Sequence, residues 1–352
     1  MDIAIVSTPC VKVPPDGYGG TELVVGVLVE ELAARGHRVT LFAPRDSSVP
    51  AQVRGAYATA AWPPDPWREL AHARVAAREI AAGAFDVVHA HIPAMCAFAA
   101  ELPVPTIHTV HHAPSTPLTE LYGACWPAPL THVALTEAHA RTLGRDLWPA
   151  RAPVVLGHGL PPSRFPLGQG GARAAFLGRW APEKGPHVAI EVARRAEVPL
   201  ALAGRVHEAD RAWWSTAGAP HLRQTGVETV GELGHDAKVR LLGASCALLF
   251  PIAWEEPFGL VVIESMLCGT PVVAFRRGSV PELIDEGVTG FVVDEEEEMV
   301  ARLRELARGA FDRGACRARA VRRFGAARMA DRYLRLYRSV ITATTPHLEL
   351  TT

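Results

Sequence analysis

The chain alternates between short β-branched runs and helical patterns in each half of the sequence, and this limits its fold more than any other feature. Strands separated by helices predict parallel sheets that are covered on both faces and joined by right-handed crossovers. A chain of 352 residues with 49% hydrophobic content can bury two such cores. The predicted strands are residues 3–7, 38–43, 87–90, 106–110 and 132–136 in the first half and 174–178, 200–203, 227–230, 247–251, 272–275 and 291–293 in the second.

The two runs of alternation predict an α/β protein of two domains. Between residues 160 and 172 the composition shifts to proline, glycine and glutamine, which is typical of a linker. We therefore place the first domain at residues 1–165 and the second at 166–325, followed by a C-terminal segment at 326–352. Ligands of open parallel sheets bind beyond the carboxyl ends of the strands, so site residues are expected in the segments that follow strands.

One stretch in the second half, residues 255–274, combines a helix pattern with two acids. Residues 260–267 are apolar except for Glu264 and Ser265, and a carboxylate in a buried helix needs a partner or a ligand. Glu256 lies just ahead of the helix, and the N–H groups of residues 258–260 would point at an anion. The pattern suits a ligand with hydroxyls at both ends and phosphate in the middle. The alternative is a buried helix whose acid is salt-bridged to a neighbour.

A second cluster follows the first strand of the second domain, in the segment 178–185. Arg179 and Lys184 are joined by a proline-containing turn and could converge on one anion, since arginine supplies a planar fork and lysine a mobile point charge. Two solvated loop cations are the alternative.

The loop after the first strand ends in Gly19 and Gly20, with Thr21 as the expected N-cap of the next helix. The dinucleotide fingerprint G-x-G-x-x-G is absent. This segment can present backbone donors to a ligand, or it can be a plain loop-to-helix turn.

Histidines are concentrated at the strand ends of the first half. Their spacing permits a metal site, but no carboxylate or cysteine accompanies them, so we expect no metal and interpret several of them as caps of the sheet. The cluster contains His89, His91, His108, His111 and His112.

The bulk properties exclude several classes of function. A net charge of -1 and a pI near 7 do not favour nucleic acid as a partner. No apolar run reaches the roughly 18 residues of a membrane span, and no secretion signal precedes the first strand, so a cytoplasmic protein with reduced cysteines is expected. The arginine-rich helix pattern at residues 302–338 leaves peripheral membrane contact open.

The stretch EPFGLVVIESMLCGTPVVA resembles the Glu-x7-Glu element of retaining, nucleotide-sugar-dependent glycosyltransferases of family GT4, which have the GT-B fold. It departs from the usual family sequence at Ser265 and Leu267, where small residues are common. The segment GRWAPEKG resembles the G-R-x-x-x-x-K-G motif of the same family, and Gly19 and Gly20 resemble its glycine loop. At the expected hinge, His158 stands where asparagine is usual.

This resemblance covers nearly the whole chain and implies a GT-B fold, with two Rossmann-like doubly wound parallel-sheet domains facing a central cleft. The first domain would bind the acceptor, the second would bind the nucleotide-sugar donor, and the last helix would cross back to the first domain. UDP-hexose is the default donor, with no cofactor and no metal. The resemblance implies catalytic roles for Arg179, Lys184, His111 and Glu256, and donor-binding roles for Gly19, Gly20, Gly178, Arg205, Val230, Phe258, Gly259, Leu260 and Glu264.

Among these residues, Glu264 would hold the ribose, Glu256 and the helix amides would hold the sugar and phosphate, and Val230 would line the nucleobase. The acceptor would be a small molecule, a saccharide or a lipid-linked group. Two other classes stay open. A sugar phosphorylase or a nucleotide-sugar epimerase would use the same cation clamp, whereas a non-catalytic carbohydrate-binding protein of two α/β lobes would not need it.

Overall fold

The structure is a computed structural model that describes residues 1–17, 19–125, 130–147, 152–223 and 226–344. The chain forms two compact units. The first contains Met1–Pro15, Gly19–Gly159 and Ala326–Thr352, and the second contains Leu160–Gly325 with Asp16–Tyr18. The chain passes from one unit to the other shortly before the predicted boundary at residue 165, and the C-terminal helix belongs to the first unit.

Each unit is built on a parallel sheet, and together the described residues form seven strands in the first sheet and six in the second. The strands of the first unit are β1 (Asp2–Val6), β2 (Arg38–Phe42), β3 (Gln52–Arg54), β4 (Val87–Ala90), β5 (Thr106–Thr109), β6 (Leu130–Ala134) and β7 (Val154–Val155). The strands of the second unit are β8 (Arg173–Leu177), β9 (Leu200–Ala203), β10 (Val227–Gly231), β11 (Ser245–Phe250), β12 (Val272–Phe275) and β13 (Gly290–Val293).

Most of the helices lie in the crossovers between these strands, and the last three helices follow the last strand. The helices are α1 (Gly20–Ala34), α2 (Pro66–Ala81), α3 (Thr116–Ala124), α4 (Glu137–Leu147), α5 (Pro186–Ala196), α6 (Arg211–Trp213), α7 (His235–Gly243), α8 (Leu260–Leu267), α9 (Val280–Leu283), α10 (Glu296–Ala307), α11 (Arg313–Phe324) and α12 (Ala326–Thr344).

The strand order in both sheets is that of a doubly wound fold. It is β3-β2-β1-β4-β5-β6-β7 in the first unit and β10-β9-β8-β11-β12-β13 in the second. The winding direction reverses between β1 and β4 in the first sheet and between β8 and β11 in the second. Loops on either side of such a reversal diverge and leave a crevice at the carboxyl edge, where ligands of this fold class bind.

Burial explains why most strands were predictable from the sequence. Strands β4, β5, β9 and β11 are buried along their whole length, so they read as continuous apolar runs. The edge strand β3 was not predicted, because its residues Gln52–Arg54 are partly exposed and carry no β-branched run. Strand β6 begins at Leu130, before the predicted start at His132, and its last residues feed α4.

Helix α11 is tied to the second unit through two arginines. Arg317 donates to the carbonyls of Phe165 and Leu267, and Arg313 donates to the carbonyls of Gly168 and Ser245. The carbonyls at the end of a helix lack intrahelical partners, and Leu267 is the last residue of α8. These contacts therefore hold the C-terminal end of α8 in place.

All six cysteines lie in the described residues and are free thiols. Four of them are buried as packing residues, and burial raises the pKa of Cys316 to about 12. Within the described residues no helix has the length and hydropathy needed to cross a bilayer.

Candidate active site

Three of the sequence-predicted site residues of the second unit lie in loops at the winding reversal of its sheet. Arg179 and Lys184 lie in the loop between β8 and α5, and Glu256 lies in the loop between β11 and α8. Because β8 and β11 are neighbours in the sheet, the two loops leave the same edge side by side. The N–H of Ala253 donates to the carbonyl of Glu183 at 2.9 Å, which joins the loops directly.

Glu264 is buried in α8, where only 3% of its surface is exposed. Its Oε1 forms an ion pair with the Nζ of Lys238 on α7. Within the described residues no donor contacts Oε2 of Glu264. The cation lowers the cost of burying the carboxylate, and the second oxygen keeps its capacity to accept a hydrogen bond. The expected partner of a buried acid is thus present, while half of the carboxylate is available to a ligand.

Glu256 has the same arrangement with a different lysine. Its Oε2 accepts from Nζ of Lys184 at 2.5 Å and from Nε1 of Trp254 at 2.9 Å. The ammonium of Lys184 also lies 4.6 Å from the centre of the Trp254 ring. In the part of the chain that the structure describes, no donor contacts Oε1 of Glu256. An ammonium has three N–H groups, so Lys184 can keep Glu256 and still donate to an anion.

Arg179 is held by two carboxylates instead of one. Its guanidinium pairs with Glu183 four residues later and with Asp210, whose Oδ2 lies 3.2 Å from an Arg179 nitrogen. Asp210 is 9% exposed and lies in the segment after β9. Arg179 and Lys184 therefore lie on the same loop, but each is neutralised by its own acids.

The N-terminus of α8 is formed by a residue that must be glycine for conformational reasons. Gly259 is the N-cap with φ of 87°, in the left-handed region, and a Cβ there would make only ordinary contacts at 3.5 Å. Among the described residues no side chain caps α8. The N–H of Leu260, in the first turn, has no carbonyl partner within the helix, whereas that of Val262 donates to the carbonyl of Gly259 at 3.0 Å.

A pair of glycine substitutions separates conformational strain from steric exclusion. Gly185 has φ of 70°, and its Cβ would lie 2.2 Å from the carbonyl oxygen of Pro251. We expect Gly259→Ala to destabilise the second unit by about 1 to 2 kcal/mol, the cost of a left-handed non-glycine residue. Gly185→Ala should cost at least about 2 kcal/mol more, because backbone must shift. Denaturant unfolding of both variants measures this, and equal losses would contradict it.

The remaining predicted donor residues lie on the far side of β8. Val230 is the extra residue of a β-bulge in the edge strand β10, and a bulged residue leaves the regular ladder of hydrogen bonds. Arg205 follows β9 and pairs with Glu232 at 2.9 Å. Gly178 directly follows β8, and a Cβ there would make only ordinary contacts with Phe176, so packing does not require glycine at this position.

Gly19 and Gly20 lie in the first unit at the start of α1. The prediction that Thr21 is the N-cap is wrong, because α1 begins at Gly20 with Gly19 as its N-cap. A Cβ at Gly19 would lie 2.9 Å from the side chain of Pro15 and 3.0 Å from a carboxylate oxygen of Glu22, so packing requires glycine here.

Sequence reasoning missed a buried acid behind this glycine turn. Glu22 is 5% exposed, and its Oε1 accepts a hydrogen bond from the hydroxyl of Thr8 at 2.5 Å. Burial raises the pKa of this carboxyl, and the bond from Thr8 opposes the rise. The sequence Gly-Gly-Thr-Glu placed the acid within the first helical turn, but burial depends on the neighbouring loop.

His111 is part of a chain of contacting histidines in the first unit. Its Nε2 lies 2.8 Å from Nδ1 of His91, and its ring stacks on His158 with centroids 5.2 Å apart. His91 is 4% exposed, and in the described residues its Nε2 has no hydrogen-bond partner. Burial and then the nearby His158 hold the pKa of His111 well below its usual value, so the ring is neutral at pH 7. A neutral imidazole can accept or donate one hydrogen bond to a ligand.

His89 has a structural role in the same unit. Its two ring nitrogens lie 2.7 Å from the hydroxyls of Tyr337 on α12 and Thr109 on β5, so the ring links β4 to both elements. No three His, Cys, Asp or Glu side chains converge in a geometry that could hold a metal ion in any described segment.

Three residues of the second-unit site were not predicted: Lys238, Trp254 and Asp210. Lys238 lies 26 positions before Glu264, and its signal in the sequence is only a lysine in a helix of mixed polarity. Trp254 precedes the acidic pair directly and could have been included, because an indole N–H is a donor for a carboxylate. Asp210 carries no local signal, since it reaches Arg179 only after the segment following β9 folds back.

Two doubly wound parallel-sheet units, one with cations and helix amides at its winding reversal, define the GT-B class of α/β proteins. Comparisons with known sequences agree. A sequence model described as "Glycosyl transferases group 1" matches residues 164–322. A second, described as "Glycosyltransferase Family 4", matches residues 18–164.

Among curated relatives, an alpha-maltose-1-phosphate synthase of Mycolicibacterium smegmatis is 33% identical over 47% of this chain and 47% of its own length. A phosphatidyl-myo-inositol mannosyltransferase of Mycobacterium leprae is 29% identical over 93% of this chain and 95% of its own length. The chain thus aligns with about half of the first of these relatives and with nearly all of the second.

Two solved structures share the fold. Sucrose-phosphate synthase of Thermosynechococcus elongatus has a TM-score of 0.82, with 20% identity over 98% of this chain and all of that one. HepE of Anabaena, in complex with UDP and glucose, has a TM-score of 0.77, with 17% identity over 96% of this chain and all of that one. This chain belongs to the family 4 glycosyltransferases, a class of GT-B transferase enzymes.

Proposed function

We propose that this protein transfers a sugar from a nucleotide-sugar donor to an acceptor hydroxyl or amine and retains the anomeric configuration. One observation carries the proposal. In the second unit two glutamates each use one oxygen on a lysine, and the first turn of a helix without a side-chain cap lies between them in sequence. An arginine lies on the same loop as one of these lysines. Carboxylate oxygens suit hydroxyls, and cations with helix amides suit phosphate.

The donor would lie along α8. Glu264 is buried in the helix, so its second oxygen would accept from a ribose hydroxyl while Lys238 stays paired with the first. Glu256 lies ahead of the helix, where its Oε1 would accept from a hydroxyl of the transferred sugar. The amides of Phe258, Gly259 and Leu260 lie between the two acids and would bind the diphosphate.

The nucleobase would lie against β10. A base is recognised through hydrogen bonds at its edge, and the bulge frees the backbone of Val230 from the regular ladder. Arg205 would contact the donor from the end of β9, beside Gly178, where the absence of a side chain lets a ligand approach the backbone.

Lys184 and Arg179 would stabilise the leaving group. Negative charge grows on the diphosphate as the glycosidic bond breaks, and preorganised cations lower the barrier because they need little rearrangement during the reaction. Glu256 holds Lys184, and Asp210 with Glu183 holds Arg179, so both cations are oriented before the donor arrives. Two such cations supply the charge that a divalent metal supplies in other transferases, so we propose catalysis without a metal.

The chemical step would be a front-face displacement through an oxocarbenium-like state. The leaving phosphate would accept the proton of the acceptor hydroxyl, which requires no separate base. His111, neutral at pH 7, would bind a hydroxyl of the transferred sugar, and the amides near Gly19 and Gly20 would approach the donor phosphate and acceptor.

UDP is the proposed nucleotide, and a polyol or saccharide is the proposed acceptor. HepE, which shares the fold, was solved with UDP and glucose. The curated relatives carry the names alpha-maltose-1-phosphate synthase and phosphatidyl-myo-inositol mannosyltransferase, which describe products or acceptors made of sugars or cyclitols. A saccharide or cyclitol hydroxyl is the acceptor chemistry common to both names.

Calorimetric titration with UDP, GDP, ADP and dTDP, first without metal and then with magnesium, tests the proposal. We expect one nucleotide, UDP, to bind with the same affinity in both conditions. Absence of binding by every nucleotide would overturn the donor site, and binding only with magnesium would overturn the metal-free clamp. Nuclear magnetic resonance of the transferred sugar would then report whether its anomeric configuration is retained.

Substituting Glu264 tests the ribose assignment. We expect Glu264→Gln to weaken UDP binding by about tenfold or more, because one charge-assisted hydrogen bond contributes roughly 1.5 to 3 kcal/mol. The amide keeps the shape of the side chain but leaves Lys238 without its anion. The control adds Lys238→Met to Glu264→Gln. This double variant has neither the carboxylate nor an unpaired ammonium. Recovery of UDP affinity in the double variant would contradict a direct contact of Glu264 with the ribose.

A further inference from the structure

A cavity of about 190 Å³ opens at the carboxyl edge of the second sheet, beside the proposed donor site. Its volume equals that of about six water molecules, enough for a small organic molecule. It is lined by Ile252, Ala253, Phe275, Arg276, Arg277 and Asp294. Phe275 is the last residue of β12 and the other lining residues follow β11, β12 or β13, so the cavity lies where parallel sheets bind their ligands.

Backbone hydrogen bonds fix the two arginines at the mouth of this cavity. The N–H of Arg276 donates to the carbonyl of Val293 at 2.9 Å, which extends the pairing of β12 with β13. The N–H of Arg277 donates to the carbonyl of Phe275 at 2.8 Å, which turns the chain so that consecutive arginines both line the cavity.

The charges of the cavity are unbalanced. Asp294 accepts from Nε of Arg276 through both carboxylate oxygens, at 3.0 and 3.3 Å. The guanidinium of Arg277 contacts the carbonyl of Arg276 at 3.4 Å, and in the described residues no carboxylate lies within ion-pair distance of it. The lining therefore carries two cations and one anion. A planar guanidinium without a carboxylate is suited to bind a phosphate through two hydrogen bonds.

The other walls suit the rest of such a ligand. Ile252, Ala253 and Phe275 present apolar surface, which would contact the carbon skeleton. Asp294 is about half exposed and could accept from a hydroxyl while it holds Arg276.

The cavity shares a loop with the proposed donor site but uses none of its residues. The N–H of Gly278 donates to Glu255 at 2.8 Å, and the N–H of Ser279 donates to the carbonyl of Glu256 at 3.0 Å. A Cβ at Gly278 would lie 2.4 Å from the backbone nitrogen of Glu256, so the two segments are packed backbone to backbone. The segment that carries Arg277 is thus rigidly attached to the loop that carries Glu256.

We propose that this cavity is a second ligand site, which binds the phosphate monoester of a small sugar or polyol with Arg277 as its main charge partner. Arg276 and Asp294 form the polar rim, and Phe275 contacts the carbon skeleton. The site does not require the proposed nucleotide site to be correct, since Arg277 is separate from Arg179 and Lys184.

Phosphorus NMR of glycerol 3-phosphate in the presence of the full-length protein and saturating UDP tests the site, because UDP would occupy the donor clamp. We expect millimolar binding, seen as line broadening. Arg277→Gln should weaken it at least tenfold, and Arg308→Gln, which removes another exposed arginine of the same unit, should leave it unchanged. Asp294→Asn should strengthen binding of inorganic phosphate several-fold, because Arg276 is released from its carboxylate.

The opposite effects expected of Arg277→Gln and Asp294→Asn make the outcome decisive. A purely structural role would weaken binding in both, and this result would overturn the site. Equal binding by wild type and Arg277→Gln, or no binding by wild type, would also overturn it. If UDP itself fails to bind, the same comparison of variants is made without UDP. Failure of the nucleotide site can then be distinguished from failure of the proposed cavity site. Glycerol without phosphate should not bind, and binding would place recognition on the apolar walls instead.

Discussion

Substituting Lys184 with methionine should lower turnover about 10²- to 10³-fold, the cost of removing one preorganised donor from a developing anion. Methionine keeps the length and most of the apolar stem, so the change removes chiefly the charge. The measurement is the rate at which the protein releases nucleoside diphosphate from a nucleotide sugar. Turnover within tenfold of the wild type would contradict the role of Lys184 in the clamp.

Loss of the lysine also has a structural cost that must be separated from catalysis. Glu256 is largely buried and its partner lies 2.5 Å away, and breaking a buried ion pair typically costs about 3 to 5 kcal/mol. The double variant Lys184→Met/Glu256→Gln leaves no unpaired charge. We expect it to recover most of the lost stability in denaturant unfolding but none of the lost turnover.

A matched control exists in the same unit. Arg173 pairs with Glu228 at 2.8 Å on the surface, at the opposite end of β8, where both side chains are substantially exposed. Arg173→Gln should change stability by less than about 1 kcal/mol, as expected of a surface pair, and should leave turnover unchanged. Loss of turnover in Arg173→Gln would show that removing any cation from the second unit lowers activity, and would contradict a specific role of Lys184.

The first unit should unfold in mild acid because its buried histidines are neutral. Burial lowers the pKa of His89 and His158 to about 3 and that of His132 and His139 to about 4. The unfolded chain binds protons near pH 6.5, whereas the folded chain does not. The stabilisation is therefore complete above pH 6.5 and is lost as the pH falls toward the folded values.

The expected effect is large. At pH 5 each of these four histidines removes roughly 2 kcal/mol of stability relative to pH 7.5, because protonation favours the unfolded chain by about 1.4 kcal/mol per pH unit. Hydrogen exchange of peptides, corrected for intrinsic rates, measures the loss. Peptides of the first unit should lose protection between pH 6.5 and 5, while those of the second unit serve as the internal reference. Equal loss in both units would contradict the assignment.

His158→Asn isolates one of these contributions. Asparagine does not titrate in this range, so the difference in stability between pH 7.5 and pH 5 should shrink by about 2 kcal/mol in the first unit. The stability at pH 7.5 is expected to fall, because the stack on His111 is lost. An unchanged pH dependence would show that His158 is not neutral in the folded state.

The architecture was predictable because it depends on local patterns. Strands buried on both faces must be apolar along their length, and helices must separate parallel neighbours. Strands β4, β5, β9 and β11 can therefore be recognised in the sequence as continuous apolar runs. The same holds for α8, where Glu264 stands out as a charge among apolar residues. The edge strand β3 and the N-cap of α1 were not predicted correctly, because neither has a distinctive sequence pattern.

The environment of the site was decided by contacts between distant segments. Spacing placed Arg179 and Lys184 on one loop, but only the fold shows that each is held by separate acids, with Asp210 among them. The sequence allowed Glu264 either a ligand or a neighbouring cation. The structure provides Lys238 for one oxygen, and among the described residues no donor contacts the other. The second alternative is therefore realised for one oxygen, and the ligand role of the other stays a prediction.

The sequence by itself determined two parallel-sheet domains, the acid at the centre of a buried helix and the cations that follow a strand, because each of these is recorded in residues close together in the chain. Only the tertiary structure decided which acids neutralise which cations, how deeply the histidines are buried and where Arg277 meets a cavity. These properties depend on electrostatic distance and on exclusion of water, and both are set when segments remote in sequence pack against each other.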